Sequence, residues 1–219
     1  MTAIILGATG LTGSWLLELL LNDERFDEVR TLVRRATGVQ HPKLRELLVD
    51  FDQPDTWQAQ VSGDVLFAAF GTTRSRAGGK TLQYKVDYTY QYRVAQAAAE
   101  NGMKTLVLVS SSGADAGSAF FYLRMKGELD RDVQQLPFER VRILRPGVLE
   151  GLRQEHRPLE HYGTIAIKTF NQVGLFRKYR PIHVRNLAKA MIQSAMDNSP
   201  GVQIYESEAV FALAEHYEL

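Results

Sequence analysis

Tyr122 and Lys126 stand four residues apart in a stretch of helix formers, so a helix there puts both side chains on one face. A phenol titrates near about 10 in water, and a neighbouring ammonium stabilises its phenolate and lowers that value. Such a tyrosine can exchange a proton with a carbonyl or alcohol oxygen near neutral pH. Upstream, Ser110-Ser111-Ser112 follows the β-branched, Leu-rich run Thr105 to Val109. A serine hydroxyl at a strand end can hydrogen-bond that same oxygen. Tyr-x-x-x-Lys arises often by chance. What gives this pair weight is its place on the helix that follows a serine-tipped strand. The plain alternative is an amphipathic helix whose Tyr and Lys border the core.

Gly7, Gly10 and Gly13 follow a short apolar run, Ala3 to Leu6, and open a helix expected over Leu11 to Leu21. In a phosphate-binding turn the first glycine allows the sharp exit from the strand. The second lets backbone approach a pyrophosphate, and the third lets the helix pack closely on the sheet. The helix N-terminus adds free N–H groups and partial positive charge. The spacing is G-x-x-G-x-x-G, and its context between strand and helix favours a dinucleotide site over a turn that needs glycine for geometry alone. About 20 positions on, an acidic residue would accept the ribose 2′-hydroxyl of NAD. The chain has Arg34-Arg35 there, and guanidinium groups clamp a 2′-phosphate. NADP(H) is therefore the expected cofactor. Its positive nicotinamide ring would further lower the tyrosine, and Lys126 can hold the nicotinamide ribose.

The elements that must position these residues alternate. Strands are expected at Ala3–Leu6, Val29–Val33, Leu47–Val49, Val65–Phe70, Thr105–Val109 and Arg142–Leu144, with helices at Leu11–Leu21, Val86–Glu100, Phe120–Leu136 and Asn186–Met196. The strands are apolar throughout, which predicts a parallel sheet covered on both faces. The expected fold is α/β, a Rossmann-type doubly wound parallel sheet with a small C-terminal substrate or lid segment. One domain spans 1–219, with a dinucleotide-binding core over 1–150 and a substrate-side extension over 151–219.

Composition narrows the function classes. In 219 residues, 26 Lys and Arg balance 25 Asp and Glu, a net charge of +1 that gives no reason to coat nucleic acid or an anionic membrane. Cysteine is absent, which excludes disulfide scaffolds, thiolate metal sites and a cysteine nucleophile. The five histidines show no metal spacing, so no metal is expected, although His156 and His161 lie near the presumed pocket mouth. No signal peptide or membrane-length apolar run is evident, and a cytoplasmic protein is the expectation.

Taken together, the glycine loop, Arg34-Arg35, the serine triplet, Tyr122-x-x-x-Lys126 and Arg145-Pro146-Gly147-Val148 resemble the short-chain dehydrogenase/reductase superfamily. Phe70-Gly71-Thr72-Thr73-Arg74, Gly113-Ala114-Asp115, Phe121-Tyr122-Leu123 and Arg153-Gln154-Glu155 are similar to the Tat-interacting-protein oxidoreductases, an atypical NADPH-binding branch. That resemblance implies cofactor contacts at Thr9, Gly10, Leu11 and Thr12, at Arg34 and Arg35, and at Phe70-Gly71 over the ring plane. It also implies contacts from Tyr122, Lys126, Leu149 and Arg157. By residue type alone Leu149 reads as core. The family often shows Ser-Ser-Lys where this chain has Ser-Ser-Ser. That makes Ser111 the expected catalytic serine and Ser112 its close rival. The implied activity is hydride transfer between NADPH and a small carbonyl or alcohol substrate, by a monomer or a homodimer paired near Tyr88–Tyr92. The alternative is an NADPH-binding sensor or adaptor with little turnover, against which the intact Tyr/Lys pair argues. Asp50 and Asp52 suit either adenine contact or loop capping, and Arg74, Arg76 and Lys80 form a basic loop that suits either a flexible lid or, slightly favoured, a solvated loop.

Overall fold

A computed structural model describes residues 1–151 and 180–218. The elements are β1 (Thr2–Leu6), α1 (Leu11–Asn22), β2 (Glu28–Val33), β3 (Leu44–Leu48), β4 (Val65–Ala68), α2 (Arg74–Ala77) and α3 (Lys80–Tyr84). A π-helical turn, Lys85–Tyr90, joins α3 to α4 (Gln91–Glu100). Then come β5 (Thr105–Val109), α5 (Phe121–Val133), β6 (Arg140–Arg145), β7 (Leu149–Glu150), β8 (Ile182–His183), α6 (Val184–Ala195), β9 (Gly201–Glu206) and α7 (Ser207–Glu215).

Seven strands form one sheet in the order β3-β2-β1-β4-β5-β6-β9, and every pairing is parallel. Parallel strands need crossovers, and these put helices on both faces. Successive β1 residues accordingly serve opposite cores. Ala3 and Ile5 pack with Leu16 and Leu20 of α1 and Leu187 and Met191 of α6. Ile4 and Leu6 pack with Val94 and Ala98 of α4 and Leu129 and Val133 of α5. Each such buried aliphatic side chain contributes about 1.5–3 kcal/mol of transfer free energy. The doubly wound sheet expected from the apolar strands is what forms. Among the described residues no helix is long and apolar enough to cross a membrane.

The C-terminal region departs from the expected partition. The sheet is not finished at residue 150. β9 supplies its seventh strand, paired with β6 from Arg140↔Gly201 to Arg145↔Glu206, and α6 and α7 pack into the core beside α1. β9 escapes sequence reading because it is an edge strand with a half-exposed burial pattern, so it lacks the apolar run that marks the central strands. β3 begins earlier than expected for the same reason: Arg45 and Glu46 are tolerated at the opposite edge.

Arg142 anchors the last strand. It is fully buried in β6, and its guanidinium donates to the carbonyls of Gly201 (2.9 Å), Asp197 (2.9 Å) and Ser199. These are the carbonyls of the turn that feeds β9, which among the described residues has no strand on its outer side to order it. Arg142→Met should therefore strand several buried acceptors and destabilise the fold by about 2–4 kcal/mol, measured as a lowered denaturant midpoint.

Candidate functional site

The loops that leave the C-terminal ends of the strands carry the candidate residues. A parallel doubly wound sheet binds ligands at this edge, where the strand order reverses. The reversal falls at β1, which pairs with β2 on one side and β4 on the other.

Gly7 leaves β1 with φ +100°, and a Cβ there would lie 2.6 Å from the Ala69 carbonyl oxygen of the neighbouring β4 loop. The Gly10 amide closes the turn onto Gly7 O at 2.9 Å. Gly13 lies in the first turn of α1, and a Cβ on it would sit 2.0 Å from that same oxygen. Gly10 caps α1 with no side-chain hydrogen bond, so the amides of Leu11, Thr12 and Gly13 keep their donors for an outside acceptor. Thr9 is exposed beside them and Thr12 is buried. The close glycine turn and the uncapped helix start leave room and N–H donors that fit a phosphate group.

Arg34 and Arg35 follow β2 and both are exposed. Arg35 lines a cavity of about 660 Å³ together with Ala8 and Thr9 of the glycine loop and Ser14 and Glu18 of α1. Arg35 thus adjoins the glycine loop, whereas Arg34 does not line that cavity. Phe70 and Gly71 follow β4. Phe70 backs onto Phe51, with ring centroids 5.3 Å apart, and Phe51 stacks in turn on Tyr90. Asp50 accepts from the Asp52 amide and from Gln53, and Asp52 pairs with Lys85 at 2.7 Å and with the Tyr90 hydroxyl. Asp50 is therefore engaged within its own loop, and Asp52 by the π-helical turn. The stretch expected as a solvated basic loop contains the short helix α2, which Thr73 caps by accepting from the Arg76 amide. Lys80, just beyond it, lies over the Phe121 ring at 5.5 Å.

Tyr122 and Lys126 share α5 as expected, with different surroundings. Lys126 is buried, and its Nζ donates to the Val109 carbonyl at the end of β5 (3.3 Å). Tyr122, a turn earlier, is 42% exposed. Ser111 is partly exposed, its hydroxyl 3.4 Å from the Ser112 carbonyl. The Ser112 hydroxyl is enclosed and has no hydrogen-bond partner among the described residues. The structure therefore brings the lysine, the tyrosine helix and the serine triplet to the end of one strand. Leu149, read by type as core, is 43% exposed. It lies on β7, which among the described residues pairs with β8 away from the main sheet. Phe120 is likewise exposed. Arg157, His156 and His161 lie outside the described residues.

Sequence reading passes over two buried acids beside this site. Asp87, on the π-helical turn, accepts from the Thr72 amide at 2.6 Å. Asp130, one turn beyond Lys126, pairs with Arg145 at 2.9 Å. Burial pushes both carboxyls above the usual aspartate range, against the opposing pull of Lys126 on Asp87 and of Arg145 and Lys126 on Asp130. A signal was available for Asp87. It lies on the same 3–4 stripe as Gln91, Val94 and Ala98, all buried, and its charge disguises that position.

The strand order, the glycine cradle and the Tyr122–Lys126 helix define a nicotinamide-dinucleotide-binding protein of the short-chain dehydrogenase/reductase superfamily. A profile of the family described as NAD(P)H-binding matches residues 7–195. "Protein FMP52, mitochondrial" of Meyerozyma guilliermondii is 37% identical over 228 residues, covering 100% of this chain and 97% of its own length. "Protein fmp52, mitochondrial" of Aspergillus fumigatus is 44% identical over 163 residues, covering 71% of this chain and 70% of its own. The chain belongs to the NAD(P)H-binding family, in the atypical short-chain dehydrogenase/reductase group with these fungal proteins. Solved structures agree on the fold. MoeE5 in complex with UDP-glucuronic acid and NAD gives a TM-score of 0.71 at 17% identity, over 93% of this chain and 75% of that one. The UDP-glucose 4-epimerase of Thermus thermophilus, in complex with NAD, gives 0.65 at 18%, over 98% and 83%.

The names of the fungal relatives overturn the expectation of a cytoplasmic protein, since each is designated mitochondrial. That expectation rested on the lack of a secretory signal and of a membrane-length apolar run. Those features separate a secretory route from others and do not separate cytosol from mitochondrion.

The cradle yields a direct test. Gly13→Ala forces α1 away from β1 and should cost about 3 kcal/mol or more. Thermal unfolding should drop, and fluorescence titration should show nicotinamide dinucleotide binding weakened in parallel.

Proposed function

We propose that the protein is an NADPH-dependent oxidoreductase acting on a small carbonyl or alcohol substrate. The observation that carries this reading is the Lys126 ammonium, buried against the Val109 carbonyl one helical turn from the accessible Tyr122. Lys126 and Tyr122 are four residues apart on α5, so the ammonium and the phenol lie along one helix face.

In this reading the glycine loop (Gly7, Thr9, Gly10, Leu11, Thr12, Gly13) holds the pyrophosphate, Arg34 and Arg35 hold the 2′-phosphate, and Phe70-Gly71 flanks the ring. Lys126 also reaches the nicotinamide ribose, and Leu149 and Arg157 complete the contacts. Bound nicotinamide supplies or accepts the hydride. Tyr122 donates a proton to the carbonyl oxygen in reduction, or withdraws it from the alcohol in oxidation. Lys126 stabilises the phenolate that remains. Ser111 orients the substrate oxygen. Its partly exposed hydroxyl supports that choice over Ser112, whose hydroxyl is enclosed. Residues beyond 150 shape the substrate side, and no nucleic acid or membrane partner enters this reading.

Two measurements test it. Arg34→Ala with Arg35→Ala should raise the Kd for NADPH about 10- to 100-fold, the loss of one or two charge-assisted hydrogen bonds, and leave NADH binding unchanged. Equal loss for both cofactors would overturn the phosphate assignment. Across a carbonyl panel, Tyr122→Phe should lower kcat about 10²- to 10⁴-fold at an unchanged Kd for NADPH. Full turnover in that variant would end the acid–base assignment, and NADPH binding with no turnover in the wild type would favour a cofactor sensor.

A further inference from the structure

The chain that leaves β5 as Ser110-Ser111-Ser112 folds back onto α5 before it enters that helix. Local bonds build the turn. The Ala114 amide donates to the Ser111 carbonyl at 3.0 Å, and Gly113 between them takes φ +79°. The turn then meets α5 at two places. The Asp115 amide donates to the Leu123 carbonyl at 3.1 Å. Further along, Gly127 is buried against Asp115 and Ala116, where a Cβ would lie 2.2 Å from the Asp115 carbonyl carbon and 2.2 Å from the Ala116 nitrogen. Leu123 immediately follows Tyr122, and Gly127 immediately follows Lys126. The serine turn thus rests on the helix one residue beyond each of its two functional side chains. A glycine in mid-helix weakens the helix, so local structure gives no reason for Gly127. The backbone contact does, because any larger residue would hold the turn off the helix.

We propose that Gly127 is a positioning residue of this site: by admitting the Asp115-Ala116 backbone against α5, it sets the place of Ser111 relative to Tyr122. This rests on the reading in which Ser111 and Tyr122 share the substrate oxygen. Two other contacts locate the neighbouring parts. Lys126 Nζ holds the helix to the Val109 carbonyl at the end of β5 (3.3 Å), and the Ser112 amide holds the serine triplet to the Pro146 carbonyl beyond β6 (2.9 Å). Neither joins the serine turn to the helix. The Gly127 contact and the Asp115–Leu123 bond do. In Gly127→Ala the turn and the helix must part by about 1 Å or more to reach ordinary contact. A hydroxyl displaced that far from the phenol no longer meets the same oxygen in productive geometry.

The test uses the absence of cysteine from the chain, which lets Ser111→Cys carry a bimane label at a single site. Bimane is quenched by a tryptophan in contact with it, so adding Tyr122→Trp reads the separation of the two positions. The labelled chain that keeps Tyr122 is the reference. Quenching is expected, and adding Gly127→Ala should reduce it at least about twofold, well below the unfolding temperature. In the unlabelled chain, Gly127→Ala should lower kcat about 10- to 100-fold at an unchanged Kd for NADPH, since the glycine loop lies on another helix. Asp115→Pro removes the amide that bonds Leu123 and should act in the same direction, so the test survives if Gly127→Ala fails to fold. Quenching that is missing from the start overturns the proposal. So does a folded Gly127→Ala that loses thermal stability and keeps its quenching, the mark of a purely structural role. A wild type inactive on every carbonyl would end the proposed reaction, yet the quenching would still decide the role of Gly127.

Discussion

Everything at the ligand edge depends on how closely α1 approaches the end of β1. The Gly7 carbonyl sits where a Cβ on Gly13 would be, 2.0 Å away, so backbone meets backbone with no side chain between. That contact points the α1 N-terminus, and its uncapped amides, at the crevice beside β1. The same Gly7 leaves no room for a Cβ beneath the Ala69 carbonyl, which locks the glycine loop to the β4 loop. The glycine loop and the loop after β4 are thereby held in close backbone contact at the end of the sheet.

Across the sheet from that unit lies a second set of constraints, made of buried charge. Lys126, Asp87, Asp130 and Arg145 are gathered where β4, β5 and β6 end. Isolated charges at such depth would be costly. Here each meets an opposing charge or a backbone dipole, and the set holds together the π-helical turn, α5 and β6. Arg145 also reaches Glu206 at the end of β9 at 3.3 Å. The position of the Tyr122 helix is therefore tied to the last strand of the sheet as well as to its own neighbours.

Much of this was legible in the residue order. β5 begins and ends where its β-branched run does, and α1 follows the glycine loop at once, because a strand buried on both faces must be apolar throughout and the turn must be glycine. Tyr122 and Lys126 fall on one helix because four residues span about one turn. The illegible parts share one physical cause, a local pattern that misstates burial. β9 is an edge strand whose half-exposed residues give no apolar run. Asp87 and Arg142 are charged yet buried, because their partners are backbone groups or charges distant in sequence. Leu149 is apolar yet exposed, because its strand pairs outside the main sheet.

The sequence by itself determined the alternation of strands and helices, the phosphate loop, the arginine pair and the Tyr-Lys helix face. Each depends on spacings of a few residues, which backbone geometry converts directly into neighbouring side chains. Only the tertiary structure decided that Lys126 is buried while Tyr122 is open, that Ser112 is enclosed beside the more accessible Ser111, and that Asp87 turns inward to the Thr72 amide. Those outcomes follow from how β4, β5 and α5 pack together, and pairs as far apart as Thr72 with Asp87 and Val109 with Lys126 meet only when the sheet has assembled.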